Sequence, residues 1–150
     1  MGALGGFVLA AAYRQLTLNV VKESVFLTAK TSGRQMALKA DIIIESYKPG
    51  YLASLGLDYE TLSRGNPGLI MVSITPFGQT GPYAKRAGYD FMSQGLGGLM
   101  SLTGSPDGPP MKAGVGIGDL ICGMYAAVGI LAAVTARQTT GLGQHIDMAL

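Results

Sequence analysis

The sequence predicts an α/β fold, in which short buried strands lie parallel and are connected by helices. Two short apolar runs, DIIIES at residues 41–46 and LIMVSIT at residues 69–75, have the length and composition of buried parallel strands. The segment between them predicts a short helix, and strand, helix and strand within about thirty residues is typical of a βαβ unit. A long apolar run at residues 118–139 predicts one long helix.

The composition indicates a folded chain and excludes several classes of function. The chain has 150 residues, of which 48% are hydrophobic and 13% charged, so it can bury a core and disorder is not expected. The net charge is +2 and the basic residues are scattered, so we expect no nucleic-acid partner. With one cysteine, Cys122, and one histidine, His145, we expect no disulfide and no metal site.

The region before the first buried strand is the hardest to interpret. LTLNVV and SVFLTAK are rich in Val, Leu and Thr, and they predict two strands. Residues 32–40 predict a helix with Ser32 as its N-cap. The apolar start, MGALGGFVLAAAY, lacks the basic region with which a signal peptide begins.

The elements after the first strand follow from their turn and cap residues. Asp58 is predicted to cap a short helix that stops at Gly65, before Pro67. PFGQTGPYAKRAG predicts a loop, and YDFMSQGLGGLMSLTG predicts one glycine-tolerant helix that ends at Gly104. GQHIDMAL predicts a last strand, and because the chain stops within it we expect a fragment of a longer protein.

Two interpretations of the long apolar helix remain open. It is long enough to span a bilayer, and Gly114 and Gly118 form a GxxxG pair that would suit a small membrane or interaction protein. Asp119 lies near its start, however, and a carboxylate at membrane depth is costly, which favours a helix buried in a globular core.

Asp119 is the candidate for chemistry, because it is the one acid in the glycine-rich stretch MKAGVGIGDLICG. GVGIGD is not a dinucleotide-binding loop, since Asp119 occupies the place of the last glycine and no strand precedes it. Asp119 either caps the long helix or is an accessible nucleophile that attacks an activated carbonyl. In the second case, amides of the glycine-rich backbone would support the developing oxyanion.

Five other side chains have simpler interpretations beside possible functional ones. Tyr89 is either half-buried at the start of a helix or borders a pocket, and Asp90 is expected to cap that helix. Lys48 follows a strand end, where α/β proteins place ligand loops, unless it is an ordinary solvated lysine. His145 is expected to be a structural histidine in a strand, and Cys122 a small core residue.

Several motifs, in order and at consistent spacing over residues 40–150, resemble the family III CoA-transferases. That family includes formyl-CoA transferase, carnitine CoA-transferase and the α-methylacyl-CoA racemases. The motifs are ADIIIESYKPG, LGLDYETLSRGNPGLIMVSITPFGQTGP, GYDFMSQGLGGLMSLTG, GVGIGDLICGMYAA and TGLGQHIDMAL.

The resemblance implies the fold class and the organisation of the chain. Residues 40–150 would be part of the Rossmann-like large domain of a truncated two-domain α/β enzyme, and the second domain would be absent. Residues 1–39 depart from the family and would be an atypical or degraded N-terminal segment. The resemblance also implies a homodimer of interlocked chains, with no membrane partner. We expect a cytoplasmic location, or a mitochondrial one in a eukaryote.

The resemblance implies a catalytic role for Asp119 in moving CoA from an acyl-CoA donor to a carboxylic acid. Its carboxylate would attack the donor thioester to give an aspartyl–acyl anhydride, and the returning thiolate would give an aspartyl–CoA thioester. Coenzyme A and acyl-CoA would be substrates, and no permanently bound cofactor and no metal would be needed.

The resemblance also implies two CoA-binding segments. The family motif ENFRPG corresponds to ESYKPG, so the contacts would come from Ser46, Tyr47 and Lys48. Tyr47 keeps an aromatic ring for the adenine end, whereas Lys48 keeps a positive charge without the bidentate fork of arginine. The second segment comprises Arg86, Ala87, Gly88 and Tyr89. Ala87 stands where some transferases have a lysine.

Tyr89 is the residue that discriminates between two activities of this family. The racemases have a histidine at this place and use it with the aspartate as two opposed bases. Because tyrosine is a poor base near neutral pH, the sequence favours a transferase over a 2-methylacyl-CoA racemase. An inactive fragment or a small membrane or interaction protein remains a further alternative. The sequence does not specify the acyl donor or acceptor.

Overall fold

The structure is a computed structural model that describes residues 31–150. The chain divides into two units, Met1–Lys39 and Ala40–Leu150. In the first unit, residues 31–39 are helical. The prediction of Ser32 as N-cap is wrong, because the preceding residue is already helical. The strands predicted in LTLNVV and SVFLTAK lie outside the described residues.

The second unit is built on a parallel sheet of three strands in the order β1–β2–β3. The strands are β1 (Ile42–Glu45), β2 (Ile70–Thr75) and β3 (His145–Ala149). Val72 in the central strand lies opposite Ile44 on one side and Ile146 on the other. The parallel pairing of β1 and β2 confirms the predicted βαβ unit, and the α/β class is therefore correct.

The core of this unit lies around β2. Leu69, Ile70, Met71 and Val72 are almost completely buried. β1 differs, because its face is only partly covered and the Ile44 side chain is 61% exposed. The prediction that both strands are buried therefore holds for β2 and is wrong for β1, which has a strand on one side only among the described residues.

Two short helices connect β1 to β2. α1 (Tyr51–Leu55) is flanked by glycines in the left-handed region, Gly50 with a φ of 87° and Gly56 with a φ of 68°. α2 (Tyr59–Ser63) begins after Asp58, as predicted. The Asp58 carboxylate accepts hydrogen bonds from the Thr61 amide at 2.9 Å and from the Thr61 hydroxyl at 2.8 Å.

The single helix predicted from YDFMSQGLGGLMSLTG is divided into two elements. These are α3 (Asp90–Leu96) and a 3₁₀-helix (Leu99–Leu102). Gly98 separates them with a φ of 80°, a left-handed conformation that interrupts a right-handed helix. The prediction of one continuous helix is therefore wrong.

The predicted long helix is α4 (Ile117–Thr140), which packs on the sheet through small residues. Cys122, Ala126 and Ala133 are buried, and a Cβ on Gly129 would lie 3.5 Å from Ile146 of β3. Small side chains on this face allow the helix to lie close to the strand.

An arginine ties the end of α4 to the beginning of the sheet. Arg137 Nη1 donates to the Asp41 carboxylate at 3.2 Å and to the Gly68 carbonyl at 2.9 Å. Asp41 precedes β1 and Gly68 lies just before β2, so one side chain joins the helix to two neighbouring strands.

The opposite face of α4 is apolar and open to solvent. Its exposed side chains are Leu120, Ile121, Met124, Tyr125, Val128 and Leu131. Among the described residues α4 is the one helix that is long and apolar enough to cross a membrane. In its most apolar stretch of 18 residues, 17% is buried. The expected core helix therefore has one packed face and one open face. Gly114 precedes the helix, so the expected GxxxG pair with Gly118 does not lie on it.

Candidate active site

A cavity of about 310 Å³ opens beyond the carboxyl ends of β1 and β2. Its wall contains every site residue that the motifs had indicated: Asp119, Ser46, Tyr47, Lys48, Arg86, Ala87, Gly88 and Tyr89. The rest of its wall is formed by Pro49, Ile74, Thr75, Pro76, Lys85 and Leu150. Residues from five separate stretches of the chain thus meet at one place.

The topology explains why these stretches meet. ESYKPG directly follows β1, and Pro76 directly follows β2, while Asp119 lies in the first turn of α4. The carboxyl ends of parallel strands lie at the same edge of a sheet, where α/β proteins place their ligand sites. The cavity therefore occupies the expected edge of this sheet.

Gly88 brings the loop before α3 against the end of β2. A Cβ on Gly88 would lie 2.7 Å from the Pro76 Cβ and 3.1 Å from the Phe77 ring, so a larger residue would displace the loop. The guanidinium of Arg86 lies 4.1 Å from the centroid of the Tyr83 ring, which itself packs edge-on against Phe77. These contacts hold Arg86 beside the cavity.

The charges on the cavity wall are mostly positive. Lys48, Lys85 and Arg86 contribute three cations, and Asp119 contributes the one carboxylate side chain. An anionic ligand suits this balance. Lys85 was missed by sequence reasoning, although the signal was present in the adjacent pair Lys85–Arg86, from which the family motif selected only the second residue.

The carboxylate of Asp119 is exposed, and it accepts no hydrogen bond from any described residue. The N-cap of α4 is Gly116, which has no side chain to cap the helix. Instead, Asp90 Oδ1 accepts from the Gly118 amide at 2.7 Å and from the Asp119 amide at 3.3 Å. The carboxylate that caps α4 thus comes from α3, and the capping role considered for Asp119 is not observed.

Asp90 therefore has a different role from the predicted one. It was expected to cap its own helix, but the N-cap of α3 is Tyr89, whose side chain makes no capping hydrogen bond. Asp90 is the first residue of α3, and its carboxylate reaches across to α4. Tyr89 is 76% exposed, so the expectation of a half-buried residue is wrong.

The amides in the first turn of α4 are occupied. The Ile117 amide donates to the Val115 carbonyl at 2.9 Å, and the Leu120 amide donates to the Gly116 carbonyl at 3.0 Å. With the amides of Gly118 and Asp119 bonded to Asp90, none of these four is free to bind an oxyanion. The expectation that this stretch of backbone supports the oxyanion is therefore wrong for the helical turn itself.

His145 and Cys122 have the structural roles that were expected. His145 Nε2 lies 2.9 Å from the Ser73 hydroxyl, and its ring stacks on Tyr59 with the centroids 5.4 Å apart. Cys122 is buried against the sheet; burial raises the pKa of its thiol, and the charge of Asp119 raises this pKa further. Within residues 31–150, no group of His, Cys, Asp and Glu side chains is arranged to hold a metal ion.

Comparison with known proteins identifies relatives of this chain. Residues 14–150 match CoA-transferase family III, a match that begins upstream of the motifs at residues 40–150. The succinate–glutarate CoA-transferase of Agrobacterium fabrum is 50% identical over 147 residues, which cover 95% of this chain and 36% of that protein. The acetyl-CoA:oxalate CoA-transferase of Acetobacter aceti is 42% identical over 139 residues, which cover 89% of this chain and 36% of that protein.

A solved structure of a related protein has the same fold as this chain. The crystal structure of a CAIB/BAIF family protein from Brucella suis superimposes with a TM-score of 0.77 and is 53% identical, covering 80% of this chain and 32% of that one. The chain thus spans about a third of the length of the relatives it matches. Because the family match extends over nearly the whole sequence, the chain belongs to CoA-transferase family III.

Proposed function

We propose that the protein carrying this chain transfers CoA from an acyl-CoA donor to a carboxylic acid, with Asp119 as the nucleophile. The observation that carries this proposal is the state of the Asp119 carboxylate. It lies on the wall of a cavity with Lys48, Lys85 and Arg86, and no described residue hydrogen-bonds to it. A free carboxylate beside cations is suited to attack the carbonyl of an anionic thioester.

The proposed reaction proceeds through covalent intermediates on Asp119. A carboxylate oxygen attacks the thioester carbonyl carbon, the C–S bond breaks, and CoA leaves as a thiolate. The thiolate then attacks the aspartyl carbonyl of the mixed anhydride, which releases the donor acid and forms an aspartyl–CoA thioester. The acceptor carboxylate displaces the thiolate to form a second anhydride, and attack of the thiolate on the acceptor carbonyl regenerates Asp119.

We infer that CoA is held by the segments on either side of the cavity. Tyr47 has an exposed ring, 5.3 Å from the ring of Tyr51, that can stack on adenine. Lys48, Lys85 and Arg86 can pair with the phosphates. The remaining contacts to CoA would come from Ser46, Ala87, Gly88 and Tyr89. Lys85 would supply a charge that Ala87 lacks.

We infer a dicarboxylate pair as substrates. The relative from Agrobacterium fabrum is named a succinate–glutarate CoA-transferase, and one from Mus musculus is named a succinyl-CoA:glutarate CoA-transferase. Succinyl-CoA and glutarate are therefore the first donor and acceptor to assay. A homodimer and a cytoplasmic location remain part of this proposal.

Replacement of Asp119 tests the proposal. In the complete natural protein, Asp119→Ala should lower the rate of CoA transfer from succinyl-CoA to glutarate by at least about a thousandfold, because the nucleophile is lost. Binding of CoA, measured by calorimetry, should be retained. Asp107→Ala removes an exposed acid that does not line the cavity and should leave both quantities unchanged. Turnover of Asp119→Ala close to that of the wild type would refute the assignment.

Trapping provides a direct test of the covalent step. Hydroxylamine added with succinyl-CoA should convert Asp119 to a hydroxamate, since it attacks both the anhydride and the aspartyl–CoA thioester. Mass spectrometry should find the modification on the peptide that contains Asp119, and only when the acyl-CoA is present.

A racemase is not favoured. The relatives described above are named as transferases, and Tyr89 stands where a racemase has a histidine. A two-base mechanism needs a second group that titrates near neutral pH, and the cavity wall contains no histidine.

A further inference from the structure

Gln94 on α3 is a buried side chain whose amide is fully engaged. It is 2% exposed. Its Oε1 accepts from the Ala113 amide at 2.8 Å, while its Nε2 donates to Asp90 Oδ2 at 2.6 Å and to the Val115 carbonyl at 3.3 Å. The reverse orientation of the amide would place its oxygen against two acceptors, so these partners determine which way it points.

The bonds of Gln94 continue through Asp90 to the beginning of α4. Asp90 uses Oδ2 for Gln94 and Oδ1 for the amides of Gly118 and Asp119. The contact requires a glycine, because a Cβ on Gly118 would lie 3.0 Å from Asp90 Oδ1 and 2.7 Å from the Ser93 hydroxyl. One buried amide thus joins the loop before α4, the Asp90 carboxylate and the first turn of α4.

We propose that Gln94 is a positioning residue for Asp119, an inference that rests on the proposed function. Gln94 holds the Asp90 carboxylate against the amides of Gly118 and Asp119, and the first turn of α4 therefore keeps the Asp119 carboxylate on the cavity wall. If Gln94 releases Asp90, the first turn of α4 loses its cap and frays, and the Asp119 carboxylate on that turn leaves its place on the cavity wall.

Gln94→Glu tests this proposal with little change of shape. The variant keeps an oxygen for the Ala113 amide but places a second oxygen against Asp90 Oδ2. When both side chains are ionised they repel each other, and when the new side chain is protonated it donates to Asp90 and restores the contact. The variant should therefore impair transfer at alkaline pH and recover as the pH falls.

The expected kinetic effect separates positioning from a general loss of structure. In the complete natural protein, kcat for transfer from succinyl-CoA to glutarate should fall about 10- to 100-fold at alkaline pH, because the nucleophile is misplaced. KM for succinyl-CoA should not change, and the ratio of variant to wild-type kcat should rise towards one at lower pH. Gln144→Glu makes the same chemical change at an exposed site and should match the wild type at every pH.

Hydrogen exchange gives a readout that does not depend on activity. Gln94→Met preserves the length of the side chain and removes its hydrogen bonds. Exchange at the amides of Gly118 and Asp119 should become faster, because Asp90 is no longer held against them, while exchange in β2 should not change.

The outcomes distinguish this inference from the proposed function. If Asp119→Ala is inactive but Gln94→Glu keeps wild-type kcat at every pH, the positioning role is wrong and the nucleophile stands. Unchanged exchange at Gly118 and Asp119 in Gln94→Met would also overturn the positioning role. If Asp119→Ala is active, the proposed function fails and the inference fails with it.

Discussion

At the scale of single residues, two aspartates divide the roles that sequence reasoning had assigned to one. Asp90 caps α4 from another helix, and Asp119, inside the first turn of α4, accepts no hydrogen bond within the described part of the chain. A carboxylate that satisfies helix amides is a poor nucleophile, because its lone pairs are engaged. The division therefore leaves Asp119 available for chemistry.

Lys85 should contribute to binding of the acyl-CoA. In the complete natural protein, Lys85→Ala should raise KM for succinyl-CoA about 2- to 5-fold, since an exposed cation that pairs with a phosphate contributes up to about 1 kcal/mol. The kcat should remain close to that of the wild type. Steady-state kinetics at two salt concentrations measures this, and added salt should weaken binding more in the wild type than in the variant.

Lys112→Ala is the matched control for Lys85→Ala. Lys112 is exposed on the loop before α4 and does not line the cavity. An equal rise of KM in both variants would show that Lys85 acts through general surface charge rather than through a contact in the cavity.

Cys122 should report the charge of Asp119. Burial raises the pKa of the Cys122 thiol, and the negative charge of Asp119, one turn earlier on α4, raises it further. Asp119→Asn removes that charge, so the pKa of Cys122 should fall and the thiol should react faster at a given alkaline pH. The rate at which iodoacetamide alkylates the peptide that contains Cys122, followed by mass spectrometry as a function of pH, measures this.

Asp107→Asn provides the control for the thiol measurement. It removes an equal charge from an exposed residue that does not act on the Cys122 thiol, so it should leave the alkylation profile of Cys122 unchanged. A profile that is the same in Asp119→Asn and in the wild type would contradict the coupling of the two side chains.

At the scale of elements, residue patterns within single segments predicted where individual helices and strands form. The N-cap Asp58, the buried strand β2 and the long helix α4 were all predicted close to their observed bounds. Each depends on a cap residue or a run of apolar residues within one segment. The division between α3 and the 3₁₀-helix was missed. A pair of glycines can lie within a helix, and the sequence does not show that Gly98 adopts a positive φ, which ends the helix.

The cap of α2 should give a pH-dependent contribution to stability. Burial alone would raise the pKa of Asp58, but the hydrogen bonds from the hydroxyl and the amide of Thr61 outweigh it, and this pKa is lowered. Because the pKa of Asp58 is lower in the folded state than in the unfolded chain, its ionised carboxylate stabilises the fold at any pH above the unfolded-state pKa. This contribution is lost as the pH falls through the folded-state pKa. Asp58→Ala should cost about 0.5–2 kcal/mol at neutral pH, and less in acid.

Denaturant unfolding at several pH values measures the contribution of Asp58. Asp58→Asn keeps an oxygen that can accept from Thr61, so it should be less destabilised at neutral pH than Asp58→Ala and should lack the pH-dependent part. A free energy of unfolding for Asp58→Ala that differs from the wild type by the same amount at every pH would contradict the role of the ionised carboxylate.

At the scale of the whole molecule, packing against the sheet gives α4 one packed face and one open face. The sequence predicted α4 as a core helix, and the packed face with Cys122, Ala126 and Ala133 fits that description. Its open face has large apolar side chains such as Met124 and Leu131 that no described residue covers. Hydrophobic periodicity is weak in a helix that is apolar all round, so the sequence alone could not assign the two faces.

The sequence by itself determined the α/β class, the central strand, the long helix, the cap at Asp58 and the motifs of the family, because each is a local pattern of residue types. Only the tertiary structure decided which acid caps α4, since Asp90 and Gly118 are 28 residues apart and meet through the contact of α3 with α4. It also decided that Lys85 lines the cavity and that Gln94 bonds to Asp90 and to the loop before α4. Hydrogen-bond partners distant in the sequence depend on how elements pack, and no local pattern encodes that packing.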